Sequence, residues 1–227
     1  MLQLDSDGLL GVVVAFGNII SQKILQHAPM INIHYSALPR WRGAAPVERA
    51  ILSGDATTAV CIIQVAEQLD AGDVLASSPC VIQEDDSVET LRNRLGQLAL
   101  PLLIDICSNG VREQISQTGE VVVARKISAQ DLAIHWSSDS EQILRQIRVG
   151  NAFTFFDGKR FKIHEATQSS VSLPIGTIAV RDGNVLVGSQ KGSVQLTTVQ
   201  PEGKPRVLAK DWARGARLSD TSVFSDR

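Results

Sequence analysis

Residues 9–16 read LLGVVVAF, a nearly continuous apolar run rich in β-branched side chains. A strand with one wet face alternates apolar and polar residues. A run without alternation predicts a strand covered on both faces, as inside a parallel sheet with helices on either side. Gly17 ends the run. A short helix is predicted over 21–27, because Pro29 biases Ala28 away from helical geometry. Residues 30–34 read as a second strand leading into a loop with Pro39 and Pro46. A helix should follow over 45–52, with Pro46 in its first turn, where a missing N–H costs nothing. Strands are predicted at 58–65 and 74–82, separated by a turn at Ala71, Gly72 and Asp73. Asp86, Ser87, Val88 and Glu89 resemble a capping box. Val88, Leu91, Leu95, Leu98 and Leu102 continue it as a helical stripe that suits core packing, with a kink expected at Pro101.

The pattern fades over 109–119 and then changes character. A helix at 141–149 would put Ile143, Leu144 and Ile147 on one face. Short strands follow, punctuated by Asp157-Gly158 and Asp182-Gly183, and Asp-Gly between apolar runs marks a hairpin. A last helix is expected over 210–214. The reading is therefore α/β: an open, mostly parallel sheet in residues 1–118, then a linker and a small antiparallel sheet or barrel in residues 119–227. The chain begins on what looks like a middle strand. A fragment of such a sheet would expose an apolar edge, so a preceding segment is expected.

No apolar run reaches the roughly 20 residues that span a bilayer. Asp5 and Asp7 stand where a secretion signal would be basic. Cys61, Cys80 and Cys107 have neither zinc nor redox spacing and read as buried free thiols in a reducing compartment, so a cytoplasmic protein is expected. His27, His135 and His164 are scattered, and no metal is expected. Charge is uneven. Residues 1–125 carry 8 Lys and Arg against 14 Asp and Glu, whereas residues 126–227 carry 14 against 10. A basic second part suits either a polyanion or a solvated face, and the same two readings apply to Lys159, Arg160 and Lys162. Trp136 and Trp212 read as packing residues.

Asn32 and His34, two apart on a strand, point to one face. Asp70 lies in the turn LDAGD after the third strand, which would bring it to the same edge of the sheet. An amide, an imidazole and a carboxylate gathered there could run acyl transfer: two donors for an oxyanion, and a carboxylate to hold the imidazole or relay a proton. Spacing alone also allows a packed histidine with no chemistry.

The segment INIHYSALPRWRGAAP (31–46), with VVVAFG (12–17) before it and QLDAGDVL (68–75) after it, resembles the folate-dependent formyltransferase family. The resemblance extends through SAQDLAIHWS (128–137) to DWARGARL (211–218). It implies a Rossmann-like catalytic domain, N-terminally truncated, and an OB-like C-terminal domain. By matching position it implies Asn32, His34 and Asp70 as the catalytic trio, and Ser36, Ala37, Leu38 and Pro39 as the folate-binding tetrapeptide. The donor would be 10-formyltetrahydrofolate. RWRGAAP (40–46) points to the branch acting on initiator methionyl-tRNA in translation initiation, with no metal or membrane involved and a monomer expected. Arg40 and Arg42 would then either contact tRNA or belong to a surface loop with Trp41 packed beneath. The family's SLLP is SALP here, Gln68 and Ala71 replace Gly and Thr, and His135 replaces Asp. The family's opening strands have no counterpart, so a late start at Met1 is expected. The alternatives are a sugar-nucleotide formyltransferase, or an inactive remnant that serves as an RNA-binding or structural protein.

Overall fold

The computed structural model describes residues 10–14, 20, 22–219 and 221–225. It divides into two compact units, Met1–Lys126 and Ile127–Arg227. The predicted stop at Gly17 and helix start at Ser21 fall outside the described residues.

The first unit contains β1 (Gly11–Val14), α1 (Gln22–Leu25), β2 (Met30–His34), β3 (Arg40–Gly43), α2 (Pro46–Ser53), β4 (Thr57–Gln64), β5 (Val74–Val81), α3 (Val88–Asn109) and β6 (Val122–Ala124). Its main sheet has the order β1-β2-β4-β5. The α/β class holds, but the sheet is mixed. β1 pairs with β2 in parallel, while the β2–β4 and β4–β5 pairings are antiparallel. For the β4–β5 pair the physical reason is chain length: the short segment between Gln64 and Val74 has no room for the dozen or more residues of a crossover. β6, which the apolar pattern assigned to the linker, pairs in parallel with β3 in the first unit.

Local chemistry sets the helix ends. Pro46 opens α2, and Gly54, at φ 74°, closes it. The capping box of α3 closes one residue later than the sequence suggested: Thr90 N–H donates to Ser87 Oγ, and Ser87 N–H donates to Thr90 Oγ1. The helix runs on through Pro101 and buries Leu91, Leu95, Ala99 and Ile106. Ile31, Ile62, Leu75 and Ile106 pack together, so α3 covers the face of the sheet from which Ile31 projects. Cys61 and Cys80 are buried, and burial pushes the Cys61 thiol pKa up. Cys107 is exposed, contrary to the expectation of three buried thiols, because its neighbour Ile106 takes the sheet-facing side of α3 and leaves Cys107 on the outer side.

Just before α3, the Asp86 side chain is 3% exposed and accepts from Arg94 through both carboxylate oxygens, from Gln83 N–H and from Thr90 Oγ1. Burial alone would favour its neutral form, but these bonds and the Arg94 charge outweigh it and hold its pKa below the ordinary carboxylate range. A depressed folded pKa contributes stability above the unfolded value, and that contribution is lost as pH falls through the folded pKa. Urea unfolding should therefore show acid destabilisation that Asp86→Asn reduces. An unchanged pH slope in that variant would remove Asp86 from the acid response.

The second unit holds α4 (Ala129–Leu132), α5 (Ser140–Val149), β7 (Phe153–Phe156), β8 (Lys159–Ser169), β9 (Ile178–Arg181), β10 (Asn184–Gly188), β11 (Ser193–Pro201), β12 (Val207–Leu208) and α6 (Ala209–Gly215). The sheet is antiparallel, in the order β7-β8-β11-β10-β9, with β12 beside β11. Both Asp-Gly pairs turn hairpins with positive φ at each residue, the type I′ geometry. β8 and β11 are irregular between Leu196 and Val199, a feature that bends strands. Val223 and Ser225 bridge to Thr177, beside β9, and to Phe155 of β7, linking the two sheet edges into an OB-like curl. Trp136 is 1% exposed, donates to Thr154 Oγ1 at 3.0 Å and stacks on Phe224, while Trp212 is partly buried against the same cluster. Both are packing residues, as read from the sequence. Among the described residues no helix is long and apolar enough to cross a membrane.

Candidate active site

Asn32 and His34 project from the face of β2 opposite the Ile31 face that α3 covers. Asp70 joins them by a route the sequence reading did not foresee. A parallel β4 would have ended beside the carboxyl end of β2 and carried the following turn to that rim. The actual β4 places Gln64 opposite Ile31 and Cys61 opposite His34, so it ends beside the start of β2. Residues 65–73 then fold back over the sheet face. Val65 N–H donates to Met30 O at 2.8 Å, and Gln64 N–H donates to Asp73 O at 2.9 Å. The three residues meet, but over the face.

The Asp70 carboxylate gathers donors from three segments. Asn32 Nδ2 donates to Oδ1 at 3.3 Å, Gly43 N–H donates to Oδ2 at 2.9 Å, and His34 Nδ1 stands 3.5 Å from Oδ2. His34 Nε2 lies 2.9 Å from the Trp41 carbonyl oxygen. Both ring nitrogens face oxygens that can only accept. The His34 and Asp70 side chains are 6% and 7% exposed, so water screens their interaction little. Asp70 takes φ 51°, in the left-handed region that aspartate tolerates better than most residues.

A cavity of about 630 Å³ opens beside the trio. Asn32, His34 and Asp70 line it together with apolar groups from Val13, Val14, Ile20, Ile63 and Leu69. An apolar cleft of this size with a few convergent polar groups suits a small organic molecule. Residues 36–39 lie outside this lining. Ser36 is fully buried and donates to the Arg40 carbonyl at 2.6 Å, Leu38 packs against Ala59, Cys61 and Ile63, and the Leu38–Pro39 bond is cis. Ala37 is exposed.

The formyl transferase family model matches residues 4–106, and the formyl transferase C-terminal domain model matches residues 126–217. The chain is 35% identical over 223 residues to a methionyl-tRNA formyltransferase of Corynebacterium diphtheriae, an alignment covering 94% of this chain and 72% of that protein. The chain belongs to the formyl transferase family. Two solved structures share its fold. HypX from Aquifex aeolicus in complex with tetrahydrofolic acid is 18% identical, with a TM-score of 0.72 over 96% of this chain and 42% of that one. A methionyl-tRNA formyltransferase from Clostridium thermocellum is 20% identical, with a TM-score of 0.59 over 70% of this chain and 72% of that one.

In this formyl transferase, groups that the sequence reading missed hold the trio. Trp41 has φ 64°, a conformation that costs a bulky residue about 1–2 kcal/mol. Asp55 offsets that cost by accepting from Trp41 Nε1 at 2.7 Å, Arg40 Nε at 2.9 Å and Arg40 Nη2 at 2.7 Å. Burial opposes ionisation of Asp55, but the Arg40 and Trp41 hydrogen bonds and the Arg40 charge prevail and hold its pKa below the ordinary range. The Arg40 guanidinium also covers the Trp41 ring at 4.6 Å. This clamp aims the Trp41 carbonyl at His34. Two residues on, Gly43 has φ 121°, and a Cβ there would lie 2.9 Å from the Ala124 carbonyl oxygen. Only glycine lets that N–H reach Asp70 without strain. Arg42 donates through Nε and Nη2 to Gln117 Oε1. Both loop arginines thus have partners within the unit. Trp41 and Gly43 act through backbone atoms, which residue identity does not announce, and Gln117 lies in a stretch with no periodicity.

Proposed function

We propose that this chain transfers the formyl group of 10-formyltetrahydrofolate to the α-amino group of methionine on initiator methionyl-tRNA. The observation that carries the reading is the meeting of Asn32, His34 and Asp70 at one cavity. The 35% identity to a methionyl-tRNA formyltransferase supports the choice of acceptor. The apolar cavity wall and Ala37, exposed on the tetrapeptide loop, are where folate would lie.

The folate supplies the formyl carbon and leaves as tetrahydrofolate, its nitrogen taking the proton that the attacking amine loses. The chain contributes placement and charge. Asn32 Nδ2 has two N–H groups and directs one to Asp70, so the second can meet the formyl oxygen as negative charge develops there. The 3.5 Å between His34 Nδ1 and Asp70 is long for a charge-assisted bond, so this ring edge can turn to the same oxygen as the site tightens around substrate. Asp70 keeps both donors aimed, and the Trp41 carbonyl fixes the ring from behind.

Phosphate recognition falls to the second unit. Lys159 and Arg160 are exposed on β8, next to the half-buried Lys162. Affinity for initiator methionyl-tRNA should fall steeply with salt, as release of condensed counterions requires. Filter binding across a salt series measures this, and a flat response would exclude phosphate contact. The function is tested by a formylation assay with 10-formyltetrahydrofolate that offers initiator methionyl-tRNA and an amino-sugar nucleotide side by side. Formyl-methionyl-tRNA is the expected product; a formylated sugar alone would reassign the acceptor.

A further inference from the structure

Among the described residues of the first unit, the Gln117 side-chain amide has all four of its hydrogen-bonding positions taken by the active-site frame. Gln117 Nε2 donates to the Asp70 carbonyl at 2.9 Å and to the Gly72 carbonyl at 2.7 Å. Its Oε1 accepts from Arg42 Nε at 2.9 Å and from Arg42 Nη2 at 2.7 Å. The opposite amide orientation would set its oxygen against two carbonyls and its NH₂ against a guanidinium, so the partners dictate the orientation. The neighbouring residues fasten the same strip of chain. Ile115 and Val74 exchange backbone hydrogen bonds, Gln114 donates to Gln64 Oε1, and Ser116 donates to Asp73 Oδ1. The 114–117 segment is therefore tied to both ends of the fold-back that carries Asp70, and to Arg42, whose neighbour Gly43 donates to the Asp70 carboxylate.

We propose that Gln117 is a positioning residue for formyl transfer, joining the Asp70 turn to the Arg42–Gly43 loop so that the carboxylate stays on Asn32 and His34. The proposal rests on the acyl-transfer reading of the trio and adds a residue that touches no substrate. Its two carbonyl bonds hold Asp70 at its left-handed φ, and its oxygen sets the loop that delivers the Gly43 N–H. If the link is cut, the turn and the loop can separate while each stays attached to its own strand.

The test compares Gln117→Ala and Gln117→Glu in the full chain. Glutamate is close in size and keeps an acceptor for Arg42, but it cannot donate to the two carbonyls. Both variants should lower kcat by about 10- to 100-fold, the cost of a displacement on the order of 1 Å at a reacting centre, with little change in KM for the folate. Amide exchange at Gly43 should accelerate in both, while exchange in the second unit stays the same. A Glu variant with wild-type kcat and wild-type Gly43 exchange would overturn the proposal, because anchoring Arg42 would then suffice. If the Ala variant unfolds, the Glu variant carries the comparison. The exchange measurement needs no turnover, so an inactive wild-type chain would count against the proposed function and leave the Gly43 result to decide this one.

Discussion

Replacing His34 by alanine is expected to slow single-turnover formylation by about two to three powers of ten, the usual cost of losing one oxyanion donor. The protein should remain folded, because β2 keeps its pairings with β1 and β4 and the side chain belongs to no apolar cluster. Asp70→Asn should cost a similar factor for a different reason. The carboxylate accepts from Asn32 and Gly43 and faces the His34 ring, and an amide in its place offers one oxygen and an N–H pointed at other donors. The double variant should be scarcely slower than either single one, because groups that act as a unit fail as a unit. Rapid-quench measurement of a single turnover separates chemistry from product release. A His34→Ala enzyme that formylates at near-normal rate would remove the imidazole from the mechanism.

How much of this site could be read from the sequence depends on which atoms do the work. Asn32, His34 and Asp70 meet through their side chains, and residue type and spacing made them candidates that the resemblance to the formyltransferase family singled out. The hairpins at Asp157-Gly158 and Asp182-Gly183 were equally legible, because positive φ at two successive positions demands residues of that kind. The direction of β4 alone was misread: β5, antiparallel to β4, runs the same way as β1 and β2. An apolar run reports that a strand is buried, not which way its neighbours run, and the short link from Gln64 to Val74 was the clue that went unused. The trio was thus foreseen to converge for a reason that does not hold, since the fold-back of residues 65–73 does what parallel pairing was expected to do. The Trp41 carbonyl, the Gly43 N–H and the Gln117 amide were beyond reach. Two of these are main-chain atoms, and the third lies where no apolar period exists to place it.

That fold-back suggests a second large effect, at Gly72. A Cβ there would sit 1.8 Å from the Gln64 carbonyl oxygen and 2.8 Å from its carbon. Both are backbone atoms, so no side chain can swing away to make room. The same carbonyl group ends β4, which is central to the sheet, so the turn must be the part that yields. Its movement would strain the Gln64 N–H bond to Asp73 and both Gln117 bonds, and would draw Asp70 off His34. Gly72→Ala should therefore lose about 3 kcal/mol in urea unfolding, the upper end of the usual overpacking cost. It should also lose about as much rate as Asp70→Asn, although no chemical group has been removed from the site. Ala71→Gly, one residue away, should cost at most about 1 kcal/mol. Wild-type stability and turnover in Gly72→Ala would mean that the turn does not press on β4, and the placement of Asp70 over the sheet face would lose its structural basis.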